Sequence, residues 1–235
     1  MDVQMTDSLP KVLYHYTSGS SLIDIIESKS IWATKIHYLN DSKEFDHSVH
    51  LAESMTWTIE QQSQSQKERQ WLKIFRDGMK QVSRINVFVA SFSEVGDSLG
   101  QWRGYCSKGC GFSVGFNSML LKQHASKQGF SIRPCIYDYH VQAKVLNDLI
   151  NETLPKILND PMATDSQEVP YVTELDRFLA KFVQIAPTLK DSCFKEEREW
   201  RLISEPLPVD DSRWRMRAGK SMLIPNVPII LSSEH

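Results

Sequence analysis

The chain has 235 residues, 41% of them hydrophobic and 10% aromatic, with a formal net charge of −2. That is long enough to bury a sizeable core, and too near neutrality to attract nucleic acid through a global basic field. The first ten residues are polar, no run approaches the ~20 apolar residues of a membrane span, and the four cysteines have poor zinc spacing, so a cytoplasmic protein with reduced thiols is expected.

Val12-Leu13-Tyr14-His15-Tyr16 is β-branched and aromatic and predicts a first strand. Thr17 to Ser21 supplies a turn and N-cap residues, and Leu22, Ile25 and Ile26 recur at helical spacing, which predicts a short helix to Ser28. Ile31 to Thr34 predicts a second strand. Asn40-Asp41-Ser42 then forms a turn and cap for a helix starting near Lys43. From there to position 83 the chain is polar and free of proline, with Trp57, Trp71, Leu72 and Phe75 as apolar contacts; a helical hairpin is expected as an insertion, its connection near Gln61 to Arg69.

Val87 to Ser93 is nearly continuous in apolar residues, so both faces of that strand should be covered. Glu94 to Lys108 reads as a loop or short helix. Gly111 to Phe116 alternates as a strand hairpin-connected to its neighbour, and Asn117 caps a helix ending near Gly129. Ile132 to Tyr139 is a strand interrupted by Pro134, hence at an edge or bulged. Helices are expected over Val141–Leu158 and Tyr171–Ile185, and a last strand over Met222–Leu231. A continuation beyond His235 is expected, since the tail shows little closure. Together these elements predict a single α+β domain, with a mixed and mostly antiparallel sheet under a helical layer.

Cys193 to Ile203 carries the densest chemistry. Read as one strand, it puts Glu197, Glu199 and Arg201 on one face and Arg198, Trp200 and Leu202 on the other. Charges that would be costly to bury unpaired then lie on an open, solvated face or line a polar cleft. In Tyr14 to Thr17, His15 and Thr17 share a face and could bond a ribose or an amide, although a lone strand histidine is more often structural. Ser91 and Ser93 share a face, where strand-end hydroxyls commonly cap the next turn. In Asp97 to Tyr105, Arg103 could hold a pyrophosphate, Trp102 or Tyr105 could stack on a flat ring, and Gly100 and Gly104 allow close backbone approach; a well-packed loop is the alternative. His47 and His50 with Glu44 are too few for a metal site. Nothing in the sequence brings Cys106 and His15 together as a nucleophile and base. Arg213, Arg215, Arg217 and Lys220 could meet a phosphate backbone or form a solvated loop.

The fragments Y-H-Y-T, L-N-D-x-x-E, S-F-S-E, W-R-x-Y and E-x-E-W-R, in this order, resemble a bacterial domain-of-unknown-function family related to the ADP-ribosyltransferases. The resemblance implies a split sheet holding NAD in a cleft. His15 and Thr17 would contact the nicotinamide ribose or phosphate, while Ser91, Ser93 and Tyr105 would flank the nicotinamide. Glu199 with Glu197 would act on the ribose and the acceptor. Tyr16 stands where the superfamily's first motif has glycine, and the S-T-S of the second motif is not clear. The implied activity is mono-ADP-ribosyl transfer from NAD to RNA, DNA or protein, as a toxin or phage-defence effector with an antitoxin or immunity partner. NAD hydrolysis is a close variant, and a non-catalytic nucleotide-sensing or protein-binding domain is the rival from another class.

Overall fold

The β-branched and aromatic runs become strands and the 3.6-periodic runs become helices, in a computed structural model that describes residues 8–39, 43–80, 82, 85–105, 111–159, 170–219 and 221–231. Asn40, Asp41 and Cys106 lie outside the described residues. The chain divides into two compact units. One comprises Met1–Ser42, Asn86–Cys135 and Asp191–His235; the other comprises Lys43–Ile85 and Ile136–Lys190.

The first unit holds a curled antiparallel sheet: β1 (Val12–Thr17), β2 (Ser30–Lys35), β3 (Phe88–Ser93), β4 (Phe112–Asn117), β5 (Phe130–Pro134), β6 (Glu199–Ser204), β7 (Arg215–Ala218) and β8 (Leu223–Ile230). Strand order is β4-β1-β3-β2-β8-β7, with β6 also on β3 and β5 on β6. Three short helices belong to this unit: α1 (Gly19–Ser28), α4 (Leu99–Tyr105) and α5 (Ser118–Ser126).

Four details differ from the sequence reading. β4 pairs with β1 over its whole length rather than forming a hairpin with β3. β5 is an edge strand as expected but stops at Pro134, whose ring cannot donate to a ladder. The basic run from Arg213 is partly a strand, β7. Ser192–Glu197 is a 3₁₀ helix, closed by Arg198 in the left-handed region at φ 44°, and β6 begins only at Glu199. Glu197 therefore does not share a strand face with Glu199.

Opposed residues in an antiparallel ladder share a face, so the pairings sort the sheet into two. Leu13, Ile31, Ala33, Phe88, Ala90, Phe92, Trp200, Leu202, Val227 and Ile229 form the core face, packed with Leu121 and Ala125 of α5. The other face carries Tyr14, Ser93 and Glu199 in one row and Ser91, Arg201 and Arg133 in the next.

The second unit is helical among the described residues: α2 (Lys43–Gln62), α3 (Gln66–Met79), α6 (Tyr139–Leu158) and α7 (Pro170–Ile185). The expected hairpin is α2 and α3, joined by a shorter connection than predicted because Ser65 caps α3 by accepting from the Glu68 amide. Phe75 of α3 stacks on Phe178 of α7 with centroids 4.4 Å apart, and Leu72, Leu146, Ile150 and Phe182 of this unit are likewise buried. Ser48 Oγ donates to the Ala186 carbonyl at 2.8 Å, so a buried hydroxyl is satisfied there.

Candidate functional site

β3 is the strand from which the site is built. Along one edge it pairs with β6, from Val89 opposite Ile203 to Ser93 opposite Glu199. Its other edge is shared by two strands. β2 lies opposite Phe88 and Val89, and β1 opposite Ser93. The sheet therefore forks along the middle of β3, at Ala90 to Phe92. At that fork His15 Nδ1 lies 2.9 Å from the Ser91 carbonyl oxygen. A carbonyl can only accept, so Nδ1 carries the proton and Nε2 is the acceptor nitrogen of the neutral ring. Burial holds the imidazole below its ordinary value of 6.5, partly offset by the bond to Ser91.

His15 follows Leu13 on the core face, and its ring sits 5.6 Å from that of Phe92. Thr17, on the same face, is buried. The side chains of Ser91, Ser93 and Glu199 occupy the opposite face. His15 and Ser91 thus meet through the backbone of β3, with their side chains on opposite sides of it.

On that opposite face, Arg201 donates from Nε to Glu199 Oε1 at 2.7 Å and from Nη2 to Glu199 Oε2 at 3.0 Å. Both residues are 4% exposed. The expectation of an open, solvated face for these charges is corrected: they are buried, and a fork-on-fork pair is what makes burial tolerable. Arg133 of β5 stands directly opposite Arg201. Arg133 is half-buried and has no hydrogen-bond or ion-pair partner among the described residues.

Ser93 is used structurally. Its Oγ donates to the Glu197 carbonyl at 2.7 Å and accepts from the Val95 amide at 3.0 Å, tying the end of the 3₁₀ helix to the turn after β3. Glu94 strengthens the same corner: its amide donates to the Arg198 carbonyl, its Oε1 accepts from Trp200 Nε1 at 2.8 Å, and its Oε2 pairs with Arg198. Glu197 is half-buried.

The loop into α4 is held by the two tyrosines of β1. Tyr16 Oη donates to the Val95 carbonyl at 2.7 Å and accepts from the Ser98 amide at 2.9 Å, and its ring meets Trp102 edge-on. A Cβ at Gly96 would lie 2.7 Å from the Tyr14 ring, so any other residue there would force that ring to shift. Trp102 Nε1 donates to Asp97, so its indole edge is engaged. Arg103 is exposed on α4, without a hydrogen-bond or ion-pair partner among the described residues. A Cβ at Gly104 would meet nothing within 4 Å, and one at Gly100 only Ser98 at 3.9 Å. The backbone of Tyr105 ends α4, but its side chain lies outside the described residues, as does Cys106. Cys135 is buried and Cys193 exposed.

Two residues at this site carry no role in the sequence reading. Arg133 lies in no local motif, and its partner across the ladder is distant in the chain. Glu94 ends the S-F-S-E fragment, but its capacity to bond Trp200 and Arg198 together depends on the β3–β6 pairing. Among the described residues no group of His, Cys, Asp and Glu could hold a metal ion, and no helix is long and apolar enough to cross a membrane.

A family described as a protein of unknown function (DUF2971) matches residues 101–202, which is under half of the chain and runs from α4 to β6 through Arg103, Arg133, Glu197, Glu199 and Arg201. No curated protein and no solved structure matches the chain.

Proposed function

We propose that the chain is an NAD-dependent mono-ADP-ribosyltransferase acting at the fork of the sheet. What supports the reading is the Glu199–Arg201 pair on the strand beside the fork. Bidentate contact with Arg201 orients the carboxylate before substrate arrives, and preorganised charge is the largest contribution at sites where a cation develops. In the reaction the bond from nicotinamide nitrogen to ribose C1′ breaks, and its electron pair leaves with nicotinamide. Glu199 stabilises the oxocarbenium character at C1′. The acceptor bonds to C1′ and gives up its proton to Glu197. Arg103 and Arg133, both without an ion-pair partner among the described residues, hold the diphosphate. Ser91, on the same face as Glu199, and Tyr105 flank the nicotinamide, while His15, whose ring lies on the core face, steadies the backbone of Ser91 through its Nδ1–H.

The test is isotope-labelled NAD with wild type and Glu199→Gln, with RNA, DNA and protein acceptors in separate arms. Transfer of label, or nicotinamide release where water is the acceptor, should fall on the order of hundreds-fold in the variant. Thermal melts of both proteins separate lost chemistry from lost fold. Arg133→Gln should raise KM for NAD with less effect on kcat.

A second reading rests on the same pair. Both carboxylate oxygens of Glu199 already accept from Arg201, which favours a non-catalytic domain that senses a nucleotide or protein at the fork. NAD that binds and stays intact would support the sensor. No NAD binding at all would sink both nucleotide readings.

A further inference from the structure

Three strands bound the sheet on one side only, among the described residues: β4, β5 and β7. Two of them are protected against pairing with another chain. β5 reads F-S-I-R-P, with Arg133 in its run and Pro134 at its end. β7 is four residues long and carries Arg215 and Arg217. Charge, proline and shortness are the devices by which exposed edges avoid recruiting another strand. β4 has none of them. It reads F-S-V-G-F-N, six residues without charge or proline, and all six are in register with β1, from Phe112 opposite Thr17 to Asn117 opposite Val12. Its ladder is regular, and no described strand pairs with its outer side.

The surface beside that edge is apolar as well. Phe112 is 47% exposed. A Cβ at Gly19 would lie 3.3 Å from the Phe112 ring, and from Gly19 the α1 face at i+4 and i+7 presents Ile23 and Ile26, exposed at 56% and 66%. Met119 and Leu120, in the first turn of α5 directly after β4, are also exposed. Exposed apolar surface gathered around an unguarded edge marks an association site.

We propose that the β4 edge pairs antiparallel with the β4 edge of a second copy of this chain. A neutral strand offers no charge to select a charged partner, whereas its own sequence is self-complementary about a twofold axis. Centred on Val114, the pairing puts Phe112 opposite Phe116 of the second copy and Ser113 opposite Gly115. Opposed residues keep their faces, and two aromatic pairs form on the core side. The sheet then runs continuously through the dimer. This assignment stands apart from any activity at the fork.

Sedimentation equilibrium over about a hundredfold range of concentration tests it. Wild type is expected to weigh two chains at the upper end. Phe112→Lys, which adds the missing charge to the edge, should weaken association at least about tenfold. Ile23→Lys, at an exposed helical position with little bearing on folding, should also weaken it. Circular dichroism checks that both variants are folded. Hydrogen exchange of the outward-pointing Ser113 and Gly115 amides should slow as wild type concentrates into the dimer, while those of Val114 and Phe116, which face β1, change little. A wild type that stays a single chain throughout, a dimer indifferent to both substitutions, or Ser113 and Gly115 amides whose exchange ignores concentration would each overturn the proposal.

Discussion

The two faces of the sheet solve the same burial problem by opposite means. The core face is covered largely by side chains that need nothing but contact: Leu13, Phe88, Phe92 and Leu202. The other face, one residue out of phase along the same strands, buries Glu199, Arg201 and Ser93. Each of these three depends on a particular partner, so their positions tolerate substitution far less evenly than the core face does. Apolar burial degrades gradually with volume lost, while a charge left without its partner is costly at once.

Replacing Glu199 alone gives the largest effect expected from this contrast. Glu199→Leu leaves the Arg201 guanidinium buried beside an apolar side chain and should cost about 3–5 kcal/mol in urea denaturation. Replacing both members, Glu199→Leu with Arg201→Met, should recover most of that loss, because a buried ion pair exchanged for packed apolar groups is often near neutral. A single variant within about 1 kcal/mol of wild type would mean that the polar face does not depend on pairing, and the comparison would break. On the core face, Leu202→Ala at a position 0% exposed should cost about 3 kcal/mol, with no partner whose replacement restores it.

The smallest effect sharpens the boundary between the faces. His15 is held below its ordinary value of 6.5 in the folded protein, so the unfolded chain takes up the proton first as pH falls. Its contribution is complete above 6.5 and declines as the pH drops from there through the folded value. His15→Gln should flatten the melting temperature over that acid window and leave it nearly unchanged at pH 8. An equally steep acid decline in the variant would remove His15 as its source.

Much of the chain declares itself locally. Trp71, Leu72 and Phe75 lie at helical spacing and form the buried stripe of α3. The alternation in Glu199-Trp200-Arg201-Leu202 correctly separates the charged from the apolar side of β6. What misleads is the stretch before it. Only the left-handed turn at Arg198, a conformation that arginine rarely adopts, divides Ser192–Glu197 from the strand, and no glycine marks it. The fork is illegible for another reason. It arises from which strands share the edge of β3, and those pairings join segments far apart in sequence. Ser91 and Ser93 also look alike in the sequence. The ladders and turns around them make Ser93 a clasp for Glu197 and Val95, while Ser91 lends its carbonyl to His15.

That long-range connectivity governs how the protein must be made. Thr34 in β2 waits for Asn226 in β8, and Ser91 in β3 waits for Arg201 in β6. During synthesis, β1, β2 and β3 emerge from the ribosome well before the strands that complete them, while the helical segments between them can coil as soon as they appear. For most of translation the nascent chain therefore displays apolar strands with an unpaired edge. Holdase chaperones would be expected to bind it then and to let go only after β8 has cleared the exit tunnel.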